Sequence, residues 1–114
     1  IATPLLLDSV STRLNPEIIK DQRLKINFAI SDRQEKAKVS VGNAVMISEM
    51  GAAHEAPDAT VTGPRQLYLA MLFLKMPLTQ LEAAGLKIEG NRAAVEALQT
   101  ALDPMPAPFN IAEP

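Results

Sequence analysis

The chain has 114 residues, 47% of them apolar, with 11 basic side chains against 13 acidic ones. That length suits one domain with a real core, and the near balance of charge removes the electrostatic footprint of a nucleic-acid binder or a polybasic membrane anchor. The absence of cysteine excludes disulfides, thiolate nucleophiles and cysteine zinc ligands, and no apolar run approaches the roughly 20 residues of a membrane span.

The opening IATP has no methionine and no cationic-then-apolar leader. It reads as a domain boundary or processing site, so the chain is expected to be a piece of something longer. TPLLLDSVSTRL follows as a first helix, with Thr3 as its cap and Pro4 in its first turn. Leu6, Val10 and Leu14 recur every four residues as one apolar stripe. Asn15-Pro16 breaks the helix, and PEIIKD gives a short second one.

LKINFAI alternates strictly, with Leu24, Ile26, Phe28 and Ile30 on one face of a half-buried strand. AKVSV alternates again, with Ala37, Val39 and Val41 inward. Gly42-Asn43 is a hairpin turn and AVMIS a third strand. GAAHEAPDA reads as a loop in which the only histidine, His54, is solvated, since a metal site needs several converging ligands. ATVTG is a fourth strand. Pro64 opens a helix that runs to about Lys75, and Pro77 ends it. LTQLEAAG is a compact helix closed by Gly85, and LKIEG a fifth strand. Asn91 caps a last helix striped by Ala94, Val95 and Leu98. The tail DPMPAPFNIAEP, residues 103–114, has four prolines and cannot continue it. The expected fold is α+β: roughly five strands in a mainly antiparallel sheet, covered on one face by helices.

The helix after Pro64 carries LYLAMLFL, uninterrupted by charge. At 100° per residue, Leu67, Ala70, Met71 and Leu74 form one stripe. Leu69, Leu72, Phe73 and Met76 form a second on the opposite side. One stripe can pack on the sheet. The other needs a cover from its own chain, an apolar ligand or a docking partner. Burying four such side chains is worth on the order of 6–10 kcal/mol before entropy. No histidine-rich metal motif, nucleophile elbow or phosphate loop is present. The chain alone is therefore expected to have no catalytic residues and no activity of its own.

APDATVTGPRQLYLAML, then LEAAGLKIEGN and a final helix, resemble the sterol carrier protein type-two-like fold. TPLLLDSVSTRLNPEIIKDQRLKINFAISD, VSVGNAVMISEMG and above all LDPMPAPFNIAEP look like the C-terminal domain of bacterial linear alkylsulfatases, zinc-dependent metallo-β-lactamase-like hydrolases of alkyl sulfates. The resemblance covers about residues 3–114 and departs at Ala112-Glu113 and at Gly63-Pro64. It implies a single non-catalytic, sterol-carrier-like domain over 1–114, the C-terminal part of a longer chain. No cofactor is expected in this chain, and zinc belongs to the family's separate metallo-β-lactamase-like domain.

The implied role is to hold the aliphatic chain of alkyl sulfates on Leu69, Leu72, Phe73 and Met76, with secondary contacts from Tyr68, Phe109 and Ile111. The partners implied are an aliphatic or lipid-like small molecule and the metallo-β-lactamase-like domain of the same protein. A homodimer is a further expectation, since paired subunits are common. A stand-alone lipid carrier and a structural docking module are the competing readings. Bacterial cytoplasm or periplasm is implied by resemblance only.

Overall fold

Strict alternation from Leu24 to Ile30 builds the central strand, and every inward residue it predicts is buried. The computed structural model describes residues 2–104, so most of the tail, with Phe109 and Ile111, lies outside the described residues. Within them the order is α1 (Thr3–Ser11), α2 (Pro16–Ile19), β1 (Leu24–Ile30), β2 (Glu35–Gly42), β3 (Val45–Met50), β4 (Ala59–Gly63), α3 (Arg65–Leu72), α4 (Leu78–Ala83), β5 (Lys87–Gly90) and α5 (Arg92–Ala101). The strands lie in the order β3-β2-β1-β4-β5. Three neighbouring pairs are antiparallel, and β1 with β4 is parallel. The fold is the expected α+β sheet with helices, mixed by that one parallel pair.

One sheet face carries Ile26, Phe28, Val39, Val41, Met46 and Val61, all buried with α1 residues Leu6, Leu7 and Val10 and α5 residues Val95 and Leu98. The other face is polar and carries the crossover that the parallel pair requires. Residues 51–58 take the chain from edge strand β3 to β4. His54 is not a solvated loop residue. Its N–H donates to Asn27 Oδ1 at 2.7 Å, and its carbonyl accepts from Asn27 Nδ2 at 3.1 Å. Its Nε2 lies 2.8 Å from the Val39 carbonyl and 3.3 Å from Ser40 Oγ. A crossover with no helix of its own has to satisfy its polar groups on the sheet beneath it, and Asn27 and His54 do so.

Three local details also differ from expectation. The hairpin turns on Asn43-Ala44 (φ 53° and 61°), with Gly42 paired to Val45 in the ladder. Two positive φ values make the turn that matches strand twist. Thr3 is not a cap: Ala2 holds that position, and Thr3 is buried with its hydroxyl donating to Glu35 Oε1 at 2.6 Å. The helix after Pro64 ends at Leu72 rather than near Lys75. Pro64 has no side-chain donor or acceptor for a cap, and Asp32 supplies it instead, accepting the Arg65 N–H at 2.9 Å. A carboxylate there also meets the positive end of the helix dipole.

The first helix stops at Ser11, short of the expected Leu14, and α5 forms as read. Asn91 caps α5 by accepting the Ala93 N–H at 3.0 Å, and Ala94, Val95 and Leu98 are buried. Gly85, at φ 118°, follows the α4 C-cap in a conformation that other residues rarely adopt.

Candidate ligand-binding surface

Tyr68 decides how α3 sits. Its ring lies 5.0 Å from that of Phe28. Its hydroxyl accepts the Ala29 N–H at 3.0 Å and lies 2.6 Å from the Val61 carbonyl and 3.1 Å from that of Ala29. One phenol thus bridges the two parallel strands. Burial pushes its pKa upward, opposed by the bond to Ala29. The buried side of α3 is therefore Arg65, Tyr68, Met71 and Leu72. Neither predicted stripe is the sealed one. From the first, only Met71 is buried and Leu74 is 51% exposed. From the second, Leu72 is in the core at 1% exposure, while Leu69, Phe73 and Met76 are half-buried against it. Periodicity favours wholly apolar stripes because it gives no weight to a hydroxyl with backbone partners waiting on the sheet.

The second stripe also loses its helix. After Leu72 the turns widen: Leu74 N–H reaches Leu69 O at 3.4 Å, and Met76 N–H reaches Ala70 O at 3.1 Å. Lys75 takes a left-handed φ of 53°, and Pro77 disfavours helical backbone at Met76. Long polar side chains from other elements take up the freed carbonyls. Arg13 Nη1 donates to Leu72 O at 2.8 Å, and its Nε to Asp103 O at 2.8 Å. Gln99 Nε2 donates to Met71 O at 3.1 Å and to Met76 O at 2.6 Å. Lys75 Nζ donates to Leu102 O at 2.7 Å. The backbone of 71–76 is thus clipped to the ends of α1 and α5 through polar groups. Phe73, Leu74 and Met76 remain only partly covered.

Arg13 lies beneath this turn, its guanidinium 5.3 Å from the Phe73 ring centre. Burial lowers its pKa, and the charge of Asp103 opposes that shift. Its Nη2 has no hydrogen-bond partner among the described residues. The sequence held a signal for Arg13: it stands seven residues after Leu6, in line with the apolar stripe of α1, where a charge is out of place. Gln99 left no comparable signal.

Among the described residues, the turn offers apolar contact and fixed cations. No described group of three or more His, Cys, Asp or Glu side chains could hold a metal. The single histidine is committed to the sheet, so the described residues do not fit a zinc site. Among the described residues, two cavities lie away from this turn. One, of about 210 Å³, is lined by Gln22, Arg23, Asp58 and Asn91 among others. The other, of about 440 Å³, lies on the polar face between Lys25, Lys38 and His54. Neither reaches α3. No described helix is long and apolar enough to cross a membrane.

Comparisons with known proteins place this architecture. The chain is 28% identical over 111 residues to a linear primary-alkylsulfatase of Pseudomonas sp., covering 96% of this chain and 16% of that protein. The stereoselective inverting sec-alkylsulfatase Pisa1 from Pseudomonas sp. superposes with a TM-score of 0.84 at 18% identity, over 99% of this chain and 18% of that one. Palmitated SCP2L2 from Aedes aegypti shares the fold with a TM-score of 0.57 at 15% identity, over 88% of this chain and 93% of that one. The chain thus spans about a sixth of the alkylsulfatase it matches in sequence. The sequence model described as "Alkyl sulfatase C-terminal" matches residues 1–114, and the chain belongs to that family.

Proposed function

We propose that this chain is a non-catalytic domain that holds the aliphatic part of an alkyl sulfate on the partly covered turn at the end of α3. A metallo-β-lactamase-like domain of the same protein would carry out zinc-dependent hydrolysis. The observation that carries this reading is the clipped turn. Arg13, Gln99 and Lys75 bind the backbone, so Leu69, Phe73, Leu74 and Met76 stay partly open while the chain's own core is complete without them. Thioether and aromatic side chains adapt to varied apolar shapes. Membership of the alkylsulfatase C-terminal family and the fold shared with a palmitated sterol-carrier-type protein support an aliphatic ligand.

The test is affinity against chain length, with octyl, decyl and dodecyl sulfate below their micelle concentrations. Burial of about 0.8 kcal/mol per methylene corresponds to an affinity gain of roughly fourfold per carbon for full burial, and about twofold for half. A flat series would leave the turn as a docking face.

A further inference from the structure

Resting on the reading of the α3 turn as an aliphatic surface, we infer that Arg13 is its anion-binding end. It takes the sulfate head of an amphiphile whose alkyl chain lies on Leu69, Leu74 and Met76.

The guanidinium is a buried cation that the described chain leaves without a counter-ion. Arg13 is 9% exposed. Its Nε and Nη1 are spent on two neutral carbonyls, those of Asp103 and Leu72, each at 2.8 Å. Its Nη2 is buried, and both of its N–H groups lack an acceptor among the described residues. The Asp103 carboxylate does not fill that gap, since its Oδ1 accepts from Asn15 Nδ2 at 3.0 Å. A buried charge is stable when it is paired and fully hydrogen-bonded. One acceptor that carries negative charge is therefore missing here.

A second cation reinforces the field. Lys75 Nζ donates to Leu102 O at 2.7 Å, the carbonyl next to the one that Arg13 Nε holds. Among the described residues, neither Arg13 nor Lys75 forms an ion pair with a carboxylate. Both charges sit beside the half-buried Leu69, Phe73 and Met76 and the exposed Leu74. Apolar surface ending in uncompensated positive charge is complementary to an anionic amphiphile and repels a cationic one.

Phe73 controls entry. Its ring centre lies 5.3 Å from the guanidinium carbon, and the ring is only partly covered. Rotation of this one side chain uncovers Nη2 and leaves the backbone clips at Leu72 and Asp103 in place. The sulfate then meets a charged donor in a largely dry setting, where such hydrogen bonds are strong. The displaced ring lies along the alkyl chain. A sulfate on Arg13 is not at the zinc of another domain, so the molecule is held in store and is released before hydrolysis.

Calorimetry of the 114-residue chain with decyl sulfate, decanol and decyltrimethylammonium tests this, with the Arg13 Nε–Hε resonance followed in parallel. Decyl sulfate should bind about tenfold or more tightly than decanol, the worth of a charge-assisted hydrogen bond. Decyltrimethylammonium should bind more weakly than either, and the Arg13 signal should shift with the sulfate alone. Asp103→Asn, at an exposed position, keeps the backbone carbonyl. It should tighten decyl sulfate about twofold and leave decanol unchanged, while Lys75→Gln should weaken the sulfate by about the same factor. Circular dichroism should show both variants folded. Equal affinity for sulfate and alcohol overturns the anion site while the turn still holds an alkyl chain. So does sulfate binding that leaves the Arg13 signal unmoved. Binding of none of the three overturns the reading of the turn itself, and the anion site with it.

Discussion

At the scale of single residues, Tyr68 and Arg13 hold the site in place by different means. Tyr68 spans the backbones of β1 and β4 from inside the core, and it is the only tyrosine in the chain. Replacing it with Phe removes the hydroxyl that serves the Ala29 N–H and the Val61 carbonyl and should cost about 1–3 kcal/mol of stability, read as a lower urea midpoint. Its raised pKa gives a pH dependence of definite sign. The folded state holds the phenolic proton more tightly than the unfolded state. The stabilisation is therefore complete below the ordinary tyrosine value of about 10 and declines as pH rises beyond it. Phenolate absorbance should appear only together with unfolding, and Tyr68→Phe should flatten the alkaline decline. Phenolate absorbance from a still-folded chain would contradict the buried position.

Arg13 bridges two carbonyls with a planar fork that lysine cannot imitate. Arg13→Lys should lose about 1–2 kcal/mol, the lower part of the usual range for charged donors, because the substitution also removes a buried N–H that has no partner. Urea denaturation would measure it.

At the scale of elements, legibility follows from whether one strand or helix settles its own environment. β1, β2 and α5 were legible because one face of each meets apolar neighbours along its whole length, so alternation or helical spacing translates directly into burial. The end of α3 was not legible. Its last carbonyls are taken by Arg13 and Gln99 from distant parts of the chain; the misplaced charge marks Arg13, but no local pattern marks Gln99 or tells which carbonyls either one takes. The crossover at residues 51–58 has the composition of a loop, but its attachment through Asn27 and His54 depends on the parallel pairing of β1 and β4. Glycine at position 42 points to a hairpin turn one residue early, while the positive φ values fall on Asn43 and Ala44. That last point gives a direct check. Ala44→Gly should stabilise the chain by about 0.5–1 kcal/mol, since left-handed backbone strains any residue with a Cβ. A thermal melt that fell instead would show that the Ala44 methyl, which packs on the core, matters more than its backbone.

At the scale of the whole molecule, the sheet separates two tasks. One face builds a core closed by α1, α3 and α5, and the other is polar and bound to its own crossover. Among the described residues, large apolar side chains are exposed at Leu5 and Ile18, at Val45 and Ile47 on β3, and at Leu74 on the turn after α3. The proposed function assigns the turn after α3 to the aliphatic part of an alkyl sulfate. The most direct measurement is a nuclear magnetic resonance titration of methionine-methyl-labelled protein with dodecyl sulfate below its micelle concentration. Met76 lies on the open turn, whereas Met71 and Met46 are buried in the core. The Met76 methyl signal should shift and saturate, those of Met71 and Met46 should hold, and Phe73→Asp should abolish the response. Shifts confined to the core methionines, or none at any methyl group, would contradict a ligand on this turn.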